Sequence, residues 1–326
     1  MISTMKPDPP GVAALSCPQL APPNVLTDRT LRAGVLYGVG AYGLWGIFPV
    51  YFKLVRGVWE WEVLAHRVIW SFVFLSLLLL LKHNWPAARD ALRCRRTLVT
   101  LVATTVLIAG NWLVFIWAVA HDHVLQASLG YFINPLVNVF LGFVFLHERL
   151  RRWQTCSVVL AAVGVGYLTF AGGSFPALAL FLAATFGLYG LLRKTARVNA
   201  MVGLTIETAL LTPPALGFLV YLMITKRAAF GAGVPRLDVL LLLAGVVTAT
   251  PLLWFTEAAR RLRLATLGFL QYLAPTGHFL LAVLAFHEPF TRTHIVAFGC
   301  IWTALAIYTL DAARAARPAP AQVPLD

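Results

Sequence analysis

Ten apolar stretches dominate this sequence, at about 34–53, 63–81, 97–119, 126–146, 154–171, 177–192, 201–223, 239–258, 265–285 and 294–311. Each runs to roughly 16–23 residues, close to the ~20 that a helix needs to cross about 30 Å of hydrocarbon; the sixth is short. Inside lipid a backbone must satisfy its own hydrogen bonds, and an α-helix does so within one segment. These runs predict an all-α, polytopic membrane protein of ten transmembrane helices. With 60% hydrophobic and 12% charged residues, the chain lacks the polar side chains to cover a soluble globule.

A net charge of +13 would suggest nucleic acid as a partner for a soluble protein. The positions of the cations give a different reading. With the N-terminus in the cytoplasm, nineteen Lys and Arg fall on that side, among them Arg95, Arg96, Arg151, Arg152 and Arg260. Six fall on the other: Lys53, Arg56, Lys226, Arg227, Arg236 and Arg292. This is the positive-inside asymmetry, which places both termini in the cytoplasm and implies no nucleic-acid partner. Residues 1–30 are proline-rich, lack a signal-peptide core and read as a disordered tail, with Met5 an alternative start. Residues 312–326, rich in Ala, Pro and Arg, read as a second disordered tail. Cys17, Cys94, Cys156 and Cys300 have no metal or redox spacing.

The sequence also repeats itself. A-S-L-G-Y-F-I-N-P ends at Pro135, and Glu148 follows 13 residues later in His147-Glu148. A-T-L-G-F-L-Q-Y-L-A-P ends at Pro275, and Glu288 follows 13 residues later in His287-Glu288, an offset of 140. Gly43-Leu44-Trp45-Gly46 is echoed by Gly187-Leu188-Tyr189-Gly190, and Ala65-His66-Arg67 lies where the second half has Ile206-Glu207-Thr208. Phe115-Ile116-Trp117 has a weaker echo in Leu253-Trp254-Phe255. The halves are 31–171 and 172–311, each with five spans. An odd number of crossings sets homologous halves in opposite orientations about a pseudo-two-fold axis in the membrane plane, an arrangement suited to alternating access. Pro49, Pro135, Pro213-Pro214, Pro251 and Pro275 fall within spans. Each removes a backbone hydrogen bond, which suggests kinked helices around a cavity, although membrane helices also tolerate proline.

Ionisable and polar residues inside spans should face the interior. Helix two carries His66 and Arg67, with Glu62 one turn earlier as a partner for His66. Glu207, equivalent to His66, is either a proton-binding carboxyl or a static partner of Arg67. Tyr131, Asn134 and Asn138 share one helical face, and Gln271, Pro275 and His278 share another on the equivalent helix. The two faces read as walls of one pathway, with interhelical hydrogen bonding as the plainer alternative. Asn111, Trp112, Trp117, Tyr189 and Tyr272 are further candidates. Glu257 reads as an interfacial ion pair with Arg260 or Arg261, while Glu148 and Glu288 each tie a loop or cap the helix that follows.

Enzymatic signals are missing. Neither His-Glu pair is followed by a third ligand at zinc-protease spacing, and His121-Asp122-His123 stands alone in a short loop. No phosphate-binding loop occurs, so ATP is not a direct energy source. No cofactor or metal is expected.

Several segments together resemble the EamA-type transporters of the drug/metabolite transporter superfamily, and its RarD-type members in particular. They are His66-Arg67-Val68-Ile69-Trp70-Ser71, Gly110-Asn111-Trp112, Ala127 to Leu136, Tyr189-Gly190-Leu191-Leu192-Arg193-Lys194, Glu207-Thr208, Arg261 to Leu264, Thr266 to Phe269, Gln271-Tyr272 and Pro275-Thr276. The resemblance covers about Leu31 to Asp311. It implies two inverted EamA repeats, a bacterial inner membrane and permease function; RarD-type proteins are linked by name to chloramphenicol. His147 stands where the family usually has Gly, Gln126 where Glu is common, and His278 is unusual. The expectation is a secondary transporter, monomeric or homodimeric, that exports a small amphipathic metabolite or drug. Its substrate would sit near the midplane among His66, Arg67, Asn111, Trp112, Tyr131, Asn134, Asn138, Glu207, Gln271 and Tyr272. Arg67 would attract a carboxylate or polar group, and Glu207 or His66 would couple protons. A lipid flippase is the nearer rival, and a membrane-embedded enzyme acting on lipid-linked substrates the more distant one.

Overall fold

The computed structural model describes residues 28–146, 151–172, 175–196, 198–262 and 270–315. Among these the chain is helical and no strand forms. In order come α1 (Asp28–Leu54), α2 (Glu60–Leu81), α3 (Trp85–Arg93), α4 (Arg95–Ala120), α5 (Val124–Leu146) and α6 (Arg152–Gly172). There follow α7 (Ala177–Thr195), α8 (Ala200–Ile224), α9 (Pro235–Arg261), α10 (Leu273–Leu280) and α11 (Arg292–Ala315). A π-helical turn, Leu281–Ala285, extends α10.

Eight described helices are long and apolar enough to cross a membrane: α1, α2, α4, α5, α6, α8, α9 and α11. Two shorter apolar helices, Ala177–Arg193 and Leu273–Ala285, stand at the sixth and ninth stretches, and the start of the ninth lies outside the described residues. The exterior is apolar, with Leu36, Val106, Phe170 and Ile224 all exposed, as a lipid-facing surface requires. Within lipid this exposure carries no penalty.

The short α3 interrupts the sequence pattern between the second and third spans. Pro86 lies in its first turn, where a missing N–H costs nothing, and Ala88 and Ala91 are buried while Arg89, Asp90, Leu92 and Arg93 are exposed. Several spans overrun their apolar limits: α1 starts at Asp28, within the expected tail, and α11 runs on to Ala315. A helix need not stop where the hydrocarbon does.

α1 lies along α9 and α10, α2 along α8 and α9, α4 along α7 and α8, α5 along α7 and α10, and α6 along α11. Small residues allow the closest approaches. A Cβ on Gly277 would come within 2.8 Å of Gly46 Cα, and one on Gly245 within 2.6 Å of Ser71 N. Without a hydrophobic drive between helices in lipid, such close backbone packing is a main source of association.

Candidate functional site

The loops 55–59, 121–123, 225–234 and 286–291 meet at one face of the bundle, the far face, which also carries the C-terminal end of α1. Asp122, in the left-handed region at φ 59°, accepts from both Lys53 and Arg56, the latter at 2.7 Å. The Lys53 hydrogen bond, helped by the charge of Arg56, holds its carboxyl below the ordinary value of 3.8. His121 Nδ1 lies 3.5 Å from Glu60, and Lys53 Nζ sits 4.9 Å above the Phe286 ring.

Two carboxylates at this face reach across the chain. Glu288 accepts the backbone N–H groups of Val124 and Leu125, one on each oxygen, both at 2.8 Å. Glu62 accepts those of Ala229 at 2.8 Å and Phe230 at 3.1 Å. Glu62 corrects the sequence reading, while Glu288 fits the first of its two alternatives by tying its loop to another helix. Glu288 caps α5, in the other half, and not the helix that follows it, because α5 opens with unpaired N–H groups. Glu62 leaves His66 for a loop in the second half; His66 instead accepts from Trp70 Nε1 at 3.1 Å and packs against Phe230, ring centroids 4.9 Å apart. Glu148 lies outside the described residues.

Below this closure lies Arg67, only 4% exposed. Its guanidinium faces Trp112 at 4.2 Å, Phe52 at 5.6 Å and Phe48 at 5.9 Å. Two of its nitrogens, Nε and Nη1, are buried with no hydrogen-bond acceptor, and no described acid pairs with it. Carrying an arginine at this depth costs about 2.5–3.5 kcal/mol on insertion scales. A desolvated cation–π contact returns about 2 kcal/mol. Unmet buried donors add a further penalty of about 1–3 kcal/mol, so the aromatic walls leave Arg67 a net liability in the protein alone.

Toward the bundle centre, Tyr131 donates to Asn111 Oδ1 at 3.1 Å, and Asn111 Nδ2 donates to Leu182 O at 3.0 Å and Thr185 Oγ1 at 2.9 Å. α5 and α10 pack against each other: the Tyr131 and His278 rings are 5.8 Å apart, and Ser128 Oγ donates to Pro275 O at 2.8 Å. His278 Nε2 bonds Trp45 O at 2.8 Å, and its Nδ1 is buried without a partner. Asn134 is buried with Oδ1 unpartnered, whereas Asn138, four residues on, is exposed. Gln271 and Tyr272 are half-buried just ahead of α10, where Tyr272 borders an open groove of about 410 Å³ with Leu273, Thr276 and Gly277. Tyr272 therefore stands apart from the Arg67 cage.

In the half of the bundle nearer the start of α1, Glu207 is 1% exposed. It accepts from Thr104 Oγ1 at 2.7 Å and Tyr189 Oη at 3.2 Å, with Arg193 Nη1 at 3.7 Å. Arg193 also hydrogen-bonds Tyr189. Glu207 does not pair with Arg67, the static partner the sequence offers it. Sequence reasoning missed Arg193, which looks like one more cation at a helix end. Its four-residue spacing from Tyr189 on α7 was the available signal. Glu257 pairs with Arg261, i to i+4, as expected.

Known proteins match this arrangement along most of its length. A "Protein RarD" of Escherichia coli is 47% identical over 284 residues, 87% of this chain and 96% of that protein. The profile of the EamA-like transporter family matches residues 32–170. The chain belongs to the EamA-like transporter family, RarD type. An "Uncharacterized transporter" of Vibrio cholerae is 46% identical over 90% of this chain and 97% of its own. A "Chloramphenicol-sensitive protein RarD" of Pseudomonas aeruginosa is 33% identical over 89% and 97%. A solved crystal structure at 20% identity superposes with a TM-score of 0.57, covering 86% of this chain and 99% of its own, and shares the fold. This EamA-family chain is thus a multi-pass membrane protein of a transporter family.

Proposed function

We propose that the chain is a secondary permease of a bacterial inner membrane that moves a small amphipathic metabolite or drug outward by alternating access. It has ten spans in two inverted repeats, 31–171 and 172–311, with both termini cytoplasmic, and works as a monomer or homodimer. The observation that carries this reading is the packing scheme. Exchanging α1, α2, α4, α5 and α6 for α7, α8, α9, α10 and α11 turns the α1–α9 contact into α4–α7. It likewise turns α1–α10 into α5–α7 and α2–α9 into α4–α8, and it leaves α2–α8, α5–α10 and α6–α11 unchanged. Two five-helix halves related by a pseudo-two-fold axis have this property, and the axis supplies two equivalent packings, each open to one side.

The far-face closure by Asp122, Glu288 and Glu62 fits a conformation shut toward the outside. Beneath it the substrate path would run past His66, Arg67 and Trp112, through Tyr131, Asn111 and Asn134, and on to Glu207. Asn138, Gln271 and Tyr272 would serve the path at its lipid-facing edge. Glu207, with His66 as an alternative, is the proton-coupling group.

Two measurements test the reading. Single cysteines at Lys82 and Lys226, labelled with an impermeant maleimide in intact cells and inverted vesicles, should react from opposite sides. Labelling of both from one side would overturn the topology. Proteoliposomes should then show saturable uptake of at least one compound from a panel of aromatic and aliphatic metabolites, ionised and neutral, with chloramphenicol included because a relative carries it in its name. Flux no faster than in empty liposomes, for chloramphenicol and for a panel of aromatic and aliphatic metabolites, would sink the permease assignment.

A further inference from the structure

Arg67 is the one buried cation in the upper bundle whose charge the described residues leave unanswered. Of the other cations at that end, Lys53 and Arg56 hold Asp122 at the mouth, and Lys226, Arg227, Arg236 and Arg292 are exposed. The acids nearby are also committed, Glu62 to two backbone N–H groups and Glu288 to two more. Neither oxygen set is free to swing down to Arg67 without orphaning the N–H groups it serves. Around the guanidinium stand Phe48, Phe52 and Trp112, and Phe115 packs on Phe52 with ring centroids 5.9 Å apart. No second cation shares the cage among the described residues.

The geometry points to the substrate class: an organic monoanion, a carboxylate on an apolar body, whose charged end is bound by Arg67 Nε and Nη1 and whose body packs on the rings of Phe52 and Trp112. This deepens the permease reading and rests on it for the word substrate, though the binding site stands by itself. A buried guanidinium with unmet N–H donors recognises an anionic acceptor through charge-assisted hydrogen bonds, which are shorter and stronger than neutral ones. A cation as ligand would meet like charge, and a neutral amide would leave the buried charge uncompensated. One cation answers one negative charge, so a dianion such as a phosphate monoester would bring an unmatched charge into an apolar cage. The rings exclude water and favour a carbon skeleton over a small hydrated ion.

The test uses purified, detergent-solubilised full chain and linear and phenyl-substituted monocarboxylates of four to twelve carbons, each beside its primary amide and its amine. Sodium chloride serves as the inorganic anion. Thermal unfolding is followed at pH 7, where the acids are ionised. Acids should raise the midpoint with an apparent affinity at least tenfold better than their amides, rising with chain length, while amines and chloride should have no effect. In Arg67→Gln the preference of acid over amide should vanish; Arg67→Lys, which keeps the charge, should retain part of it and guards against a fold defect in the glutamine variant. If no acid outperforms its amide in the wild type, or chloride alone reproduces the stabilisation, the monoanion assignment is overturned. The same acids are then offered to proteoliposomes. Binding without flux would remove the permease reading and keep the site; flux of amides or amines without acids would keep the permease and remove the site.

Discussion

The guanidinium of Arg193 lies where a side chain on Gly203 would have to go. Residue 203 is one helical turn before Glu207 on α8, so the missing Cβ opens the niche that lets Arg193, from α7, stand 3.7 Å from the buried carboxylate.

Gly203→Ala should therefore act through Glu207. The new methyl displaces the guanidinium, leaving the carboxylate with Thr104 and Tyr189 alone. The expected loss is about 1–3 kcal/mol of stability, the range for a buried group short of a partner or an overfilled site. Combining it with Glu207→Gln should cost clearly less than the two changes added together, because both break one cluster. Thermal unfolding of the four proteins in detergent measures this, and additive effects would detach Gly203 from Glu207.

Glu207→Gln should abolish flux driven by a pH gradient yet leave counterflow exchange intact, since glutamine keeps the shape and most hydrogen bonds but carries no exchangeable proton. Proteoliposome flux with and without an imposed gradient is the measurement. An unchanged pH dependence would remove Glu207 as the coupling group.

The far face offers a paired prediction. Glu288→Ala strips the cap from Val124 and Leu125 and should cost about 1–3 kcal/mol through unsatisfied backbone donors. His287, by contrast, adopts a left-handed backbone at φ 54°, which burdens an L side chain by roughly 1–2 kcal/mol, partly offset by the flexibility glycine would bring to the unfolded chain. His287→Gly should thus be neutral or stabilising by up to about 1 kcal/mol. Opposite signs at adjacent residues, read in one unfolding series, check the geometry.

Asp122 gives a pH window. Its carboxyl is held below 3.8 by Lys53 and Arg56, so the native state favours the ionised form. The contribution of the contact is fully present above the unfolded value and is lost as pH falls through the lower folded one. Between pH 5 and 8 the wild type should show no pH effect traceable to this contact, and Asp122→Asn should loosen the far face at every pH. Limited proteolysis in the 55–59 and 121–123 loops is the readout; wild-type loosening already at pH 5–6 would contradict it.

Much of this was legible in the sequence, and the gaps have physical causes. Apolar length located the spans, because lipid enforces it residue by residue. Arg67 stood out for the same reason, since a cation in an apolar run demands an explanation. What the sequence hid was partnership. Glu62 and His66 are spaced as a helical pair, but Glu62 serves Ala229 and Phe230, 167 and 168 residues away. Glu207 was recognised, yet its partners come from α4 and α7, which only packing brings together. The short α3 escaped because nine residues with two buried alanines make no apolar run, although Pro86 in its first turn announced a helix start.

The contact between Gly46 and Gly277 has a mechanical consequence. There α1 and α10 touch backbone to backbone, and the His278–Trp45 hydrogen bond sits alongside. Interlocked side chains must be pulled out of one another before two helices can turn, whereas bare backbones have nothing to disengage. The glycine pair is therefore the crossing at which a change of angle would disturb the fewest side chains. Were α10 to tilt on α1, the Tyr272 end and the Ala285 end would swing in opposite directions about this point.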